Sequence, residues 1–200
     1  MPSFDLEDQY PAPVAGVDEA GRGPWAGPVV AAAVILDRDE LPDGLDDSKK
    51  LSARRRRALY DRIIATAEVG VGIGTVAEID RVNIARANDL AMVRAIQALP
   101  HSPGFVLIDG RHVPHVLELP ARAEIKGDGK SFSVAAASIV AKVTRDRMMA
   151  ELARQHPGYG WERNAGYGTR EHQQALSDLG VTPHHRRSFQ PIRNALLEEN

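Results

Sequence analysis

Two apolar runs, 14–17 and 29–36, frame the start of the chain, with Asp18-Glu19 closing the first and Gly21-Arg22-Gly23 following. Apolar runs joined by a glycine-bearing connection predict a β-hairpin whose first strand ends in two carboxylates. A polar, turn-rich stretch covers 37–50, and Ser52 then offers an N-cap for a helix with Leu59, Tyr60, Ile63, Ile64 and Ala67 on its apolar face. Residues 69–75 alternate Val or Ile with Gly, which suits a strand packed closely by its neighbours. Residues 77–99 are alanine-rich and predict a helix in two pieces meeting near Asn83. The wholly apolar 105–108 reads as a strand buried on both faces and ending at Asp109-Gly110. A Pro- and His-containing excursion covers 111–121, and 123–126 reads as one more strand. The longest helix is predicted over 131–155, with Ala135, Ala136, Ala137 and Ser138 keeping its first turns slim. A glycine-rich aromatic loop over 157–168 precedes two shorter helices, 170–179 and 191–197. Strands alternating with helices after an opening hairpin indicate an α/β fold with a mixed sheet.

Composition narrows the class. The chain has 200 residues, 43% hydrophobic and 26% charged, the balance of a globular domain able to bury a substantial core. No apolar run reaches the roughly 20 residues of a membrane span. The first ten residues are acidic and lack the order of a signal peptide. Cysteine is absent, which excludes disulfides and cysteine-zinc sites, and a cytoplasmic location fits. The net charge of −2 does not advertise a nucleic-acid binder. Positive charge is clustered, however, at Lys49-Lys50, Arg54 to Arg57, Arg145 with Arg147, and His184 to Arg187. Four successive arginines on a helix spread round its circumference, so only some can face one ligand.

Four acidic positions carry the candidate chemistry. Asp18 and Glu19 end one strand, Asp109 ends another, and Asp128 lies just before the long helix. A carboxylate at that last place faces the helix dipole and free amides, which should keep it ionised. Converging carboxylates without His or Cys suit Mg²⁺ or Mn²⁺ over zinc. Two such ions ~3.5–4 Å apart can activate water and stabilise the leaving oxygen of a phosphodiester. Neighbours on a regular strand point to opposite faces, so Asp18 and Glu19 can share a site only if the chain bulges or turns there.

Seven segments extend the pattern: Gly16 to Gly23, Asp47 to Ser52, Ile108-Asp109-Gly110, Lys126-Gly127-Asp128, Ala136 to Asp146, Gly166 to Thr169, and His185 to Phe189. In that order and spacing the chain resembles the ribonuclease HII family, the bacterial type 2 ribonucleases H, over nearly its whole length. The resemblance implies a ribonuclease H-like α/β fold, a mixed central sheet flanked by helices with a small helical C-terminal part. It divides into a catalytic portion, 1–155, and a portion completing the substrate cleft, 156–200, within one compact unit. The implied activity is endonucleolytic hydrolysis of RNA in RNA–DNA hybrids, and cleavage 5′ of single ribonucleotides embedded in duplex DNA. Two Mn²⁺ or Mg²⁺ ions would act with the substrate, leaving 3′-hydroxyl and 5′-phosphate ends. Nucleic acid is the implied partner of a monomer with no membrane role.

By the same resemblance Asp18, Glu19, Asp109 and Asp128 match the metal-binding carboxylates. Gly21, Arg22 and Gly23 match the loop that contacts the ribose 2′-OH and its phosphate, and Tyr167 the ring that stacks on a junction sugar. Lys49, Ser138 and Lys142 are candidate substrate contacts. Blander readings stand beside these. Asp146, between Arg145 and Arg147, suits an ion pair. Lys49 and Lys142 suit solvent as well as phosphate, Tyr167 suits a packing anchor, and His185 a structural role. Trp25 stands where an aliphatic residue is usual, and the chain stops soon after Ser188-Phe189, short of the C-terminal helix of some relatives. A junction resolvase of the same fold, or a catalytically silent hybrid-binding protein, would carry much of the same pattern.

Overall fold

The computed structural model describes residues 2–198; residues 1, 199 and 200, the outermost of the two expected portions, lie outside the described residues. Strand β1 (Val14–Ala20) runs antiparallel to β2 (Val29–Ile35), so the opening hairpin is present. Helix α1 (Ala53–Thr66) leads to β3 (Glu68–Gly74), which adds antiparallel to β2. Helix α2 (Val76–Gln97) is followed by β4 (Phe105–Asp109), parallel to β1, and by β5 (Ala121–Glu124), parallel to β4. Then come α3 (Phe132–Gln155), α4 (Trp161–Asn164), α5 (Arg170–Leu179) and α6 (Gln190–Glu198). The sheet order is β3-β2-β1-β4-β5, a mixed sheet with β1 at its centre.

Three apolar clusters hold these layers. One face of the sheet buries Ala87, Ala91, Ala95 and Ile96 of α2 against Val17, Ala31 and Ile108. The other face buries Leu59 and Ile63 of α1 and Ala136, Ile139 and Val140 of α3. The third joins the far half of α3, through Met149 and Ala153, to Tyr159, Trp161, Leu176 and Ile192. Small residues set the spacing. A Cβ on Gly72 would stand 2.0 Å from the Ala91 carbonyl oxygen, so the glycine of β3 lets α2 lie directly on the strand.

The local signals act as their chemistry requires. Ser52 and Ser131 accept from the amides of Arg55 and Val134, capping α1 and α3. Asn83 interrupts α2 with φ 70, and its side chain caps the following turn by accepting from Arg86 N. Three details differ from expectation. The last strand is 121–124, not 123–126, because pairing of Val106 with Ala121 and Asp109 with Glu124 sets its register on β4. Ile64 is 45% exposed and leaves the α1 core to Leu59 and Ile63. The aromatic loop contains the short helix α4, because Gly160 and Ala165 in left-handed conformations end it on either side.

Candidate active site

Parallel pairing of β1 with β4 puts Val17 beside Ile108, so Asp18 and Asp109 follow at the next position on each strand. Gly127 N donates to Asp109 Oδ1 at 2.7 Å and draws in the 3-10 turn Gly127–Gly129 that carries Asp128. No bulge separates Asp18 from Glu19, since the register with β2 is regular through Ala20. Their side chains nevertheless line one cavity. Asp18 curls back to accept from Glu19 N at 2.7 Å, and the longer Glu19 reaches toward Arg22 Nη1 at 3.3 Å.

The cavity measures about 330 Å³, and nine of the eleven candidate residues line it: Asp18, Glu19, Gly21, Arg22, Gly23, Lys49, Ser138, Lys142 and Tyr167. The other two, Asp109 and Asp128, are not among its lining residues but are close enough for their charges to act on Asp18. Lys49 Nζ lies 3.7 Å from Asp128 Oδ2. Its turn is pinned by the buried hydroxyl pair Ser48–Ser138, 2.7 Å apart. Tyr167 is 48% exposed, lines the cavity beside Gly23, and is no buried anchor. Lys142 donates to Asp146 at 2.7 Å, so Asp146 is an ion-pair member whose partner is the lysine and not either arginine.

Residues 15–192 match the family profile of ribonuclease HII. The ribonuclease HII of Ruegeria pomeroyi is 59% identical over all of this chain and 87% of its own length. That of Cereibacter sphaeroides is 60% identical over 93% of this chain and 88% of its own. The chain belongs to the ribonuclease HII family. Among solved structures, ribonuclease H2 of Pyrococcus horikoshii superposes with a TM-score of 0.78 at 29% identity, covering 92% of this chain and 97% of that one. A Bst-RNase HIII in complex with Mn²⁺ shares the fold, with a TM-score of 0.73 at 21% identity over 92% of this chain and 69% of that one. As a ribonuclease HII, this chain is a metal-dependent endoribonuclease acting on RNA–DNA hybrids. No helix among the described residues is long and apolar enough to cross a membrane.

The electrostatics of this ribonuclease HII suit a cation. Burial raises the Asp18 carboxyl well above the carboxylate range, and the charges of Glu19, Asp109 and Asp128 add to the effect. Glu19 is raised by burial and held back by Arg22. Asp128 is also raised, by burial and then by Asp109 and Asp47, against Lys49. The ionising helix terminus expected for Asp128 serves another residue. Glu7 Oε1 accepts from Ser131 Oγ at 2.7 Å and Ser133 N at 3.0 Å, taking the start of α3 for itself. The donor set is carboxylate oxygen alone, which fits a hard divalent ion, and such an ion relieves the repulsion just described. Among the described residues no three His, Cys, Asp or Glu side chains are already closed on one ion position. Asp18 and Asp109 each spend one oxygen on a backbone amide instead.

Two buried arginines, unforeseen from sequence, hold the glycine loop of this ribonuclease HII. Arg186 donates to the carbonyls of Gly21 at 2.5 Å, Arg22 at 2.9 Å and Gly27 at 2.9 Å. Arg145 donates to Pro28 at 2.9 Å, Ala26 at 3.1 Å and Ala165 at 2.9 Å, which ties the Tyr167 loop to the same frame. Gly21 has φ +98, and a Cβ there would meet Arg145 Nε at 1.9 Å, so glycine is required twice over. Six carbonyls hold the two guanidiniums, and neither forms an ion pair among the described residues. Burial pushes Arg145 down to about 10 and Arg186 to about 9. In the sequence they stand only as members of charged clusters and of the segments 136–146 and 185–189, with no sign of burial. His185 is structural, buried against His172 with their Nε2 atoms 3.0 Å apart. Trp25 packs on Gly168 and His172 and lines a separate cavity near α5 and α6.

Proposed function

We propose that this ribonuclease HII cuts at RNA–DNA junctions, including 5′ of a single ribonucleotide in duplex DNA. The observation that carries the reading is one cavity lined together by the carboxylates Asp18 and Glu19, the Gly21-Arg22-Gly23 loop and the exposed Tyr167. Asp18, Glu19, Asp109 and Asp128 are the proposed holders of two Mg²⁺ or Mn²⁺ ions when substrate is bound. Those ions would supply an activated water and stabilise the leaving oxygen. The chain itself does the reading. Arg145 and Arg186 fix the loop backbone, whose amides and carbonyls are the proposed partners of a lone 2′-OH that can both donate and accept. Arg22 and Lys49 flank the cavity as phosphate contacts. Lys142 joins them by exchanging Asp146 for phosphate, and Ser138 keeps the Lys49 turn in place through Ser48. Tyr167 lies flat on a deoxyribose, and a 2′-hydroxyl there would crowd the ring.

The protein is proposed to work as a monomer, since every residue of this scheme comes from one chain, and in the cytoplasm, where its substrate class occurs. Incubation with a duplex carrying one ribonucleotide, with an all-DNA duplex beside it, tests the scheme when the ends are mapped. A cut 5′ of the ribonucleotide, leaving 3′-hydroxyl and 5′-phosphate, is expected, with the all-DNA duplex intact. A cut on the 3′ side, or cleavage of both duplexes, refutes it.

A further inference from the structure

Beside the carboxylate cavity lies a larger one of about 500 Å³, between α1, α3 and α4, and Lys142 lines both. Five basic side chains line the larger cavity, Arg56, Arg57, Lys142, Arg147 and Arg163, against acidic Asp146 and Glu162. On a chain of net charge −2 that excess is local. Several of the five are engaged. Arg56 donates to the carbonyls of Ser48 and Leu51, both at 2.9 Å, and Arg163 pairs with Glu162 and Glu171. Two are available. Arg57 is exposed and in no ion pair among the described residues. Arg147 reaches Asp61 only at 3.5 Å with both side chains exposed, and its guanidinium lies 4.3 Å over the Tyr60 ring. An exposed pair of that kind is worth little and gives way to a phosphate at small cost.

The dimensions suit a nucleic-acid strand. Lys142, Asp146 and Ala150 line the cavity at four-residue spacing along α3. At 1.5 Å per residue the groove runs roughly 12 Å. The ~3.4 Å rise per nucleotide is measured along the duplex axis, and the phosphates of one strand are spaced about twice that along its own path, so about two to three fit along the groove.

We propose that this groove carries the nucleic-acid backbone beyond the cleavage point, with Arg57 and Arg147 as its phosphate contacts. The proposal rests on the reading of the carboxylate cavity as the cutting site and extends the footprint out of it. A strand passing Lys142 has this groove as its continuation, which favours nucleic acid over an acidic protein as occupant.

The test is the double variant Arg57→Gln/Arg147→Gln, both positions exposed and outside the carboxylate cavity. The substrate is a long duplex with one embedded ribonucleotide. KM should rise about tenfold with kcat unchanged, and the slope of log(kcat/KM) against log salt should fall by about two, one per lost contact. Replacing two or three phosphates on one flank by uncharged methylphosphonates should cost wild type a similar factor and the variant almost nothing. An unchanged KM and salt slope, or an equal cost of the neutral linkages to both proteins, overturns the groove. If wild type cleaves the duplex and the variant matches it, the groove alone falls. If wild type leaves the duplex uncut, the reading of the carboxylate cavity falls with it.

Discussion

Asp18 is 4% exposed, surrounded by the charges of Glu19, Asp109 and Asp128, and already accepting from the Glu19 amide. A carboxyl raised in the fold costs stability at neutral pH, because the unfolded chain ionises it more readily. Removing that charge should therefore separate activity from stability. Asp18→Asn is expected to lose at least about a hundredfold in kcat, since the charge stabilisation a bound ion supplies is several kcal/mol. Its urea midpoint should stay level or rise. Asp109→Asn should lose activity likewise. Cleavage rates in Mg²⁺, and unfolding curves of both variants without divalent ions, check this. Near-normal cleavage contradicts the carboxylate assignment, and a marked drop in the Asp18→Asn midpoint contradicts the strain.

At the scale of elements, the C-terminal loop is fastened by histidines that must stay neutral. His185 Nδ1 accepts from Thr182 N at 3.0 Å, so its proton sits on Nε2, facing His172 Nε2. His172 Nδ1 faces the Tyr167 carbonyl at 3.0 Å and donates to it, which leaves Nε2 to accept from His185 and from Trp161. Burial first, and then the neighbouring His172, push His185 down to about 3. Because the folded value lies below the ordinary 6.5, this contribution is full above pH 6.5 and is lost as pH falls toward 3. From pH 7.5 to 5 the loss should be about 2 kcal/mol, at 1.36 kcal/mol per pH unit below 6.5. The raised carboxylates act in the opposite sense, so the comparison is with His185→Gln. The gap in unfolding free energy between wild type and variant should narrow by about 2 kcal/mol over that range. A constant gap would mean that the histidine is protonated in the fold.

Element scale also separates what the sequence makes legible from what it hides. Caps and breaks are local chemistry, so the Ser52 cap and the kink at Asn83 can be read directly. So can the hairpin and the central strands, where apolar runs meet glycine. The last strand lies two residues earlier than its sequence alone suggests, because its register comes from β4 and not from its own alternation. Asp128 was expected to own the start of α3, yet Glu7, distant in sequence, sits there with 3% exposure. Arg145 and Arg186 look like surface cations in any reading by composition. Only the finished fold shows them buried on carbonyls, since burial of a charge depends on partners far along the chain.

At the scale of the whole molecule, three regions converge on one cavity. The sheet supplies the carboxylates, the hairpin connection the glycine loop, and the segment after α3 the Tyr167 ring, with Arg145 bridging the last two. The central claim is that one ribose is read between loop and ring. Cleavage of two substrates by wild type and Tyr167→Ala, side by side, tests it most directly. One substrate carries a lone embedded ribonucleotide and the other is a long RNA–DNA hybrid, in which further 2′-OH contacts offset the missing ring. The account predicts a loss of about tenfold or more on the lone ribonucleotide and a clearly smaller loss on the hybrid, taking base–aromatic stacking at ~1–3 kcal/mol as the scale of such a contact. An equal loss on both would contradict it.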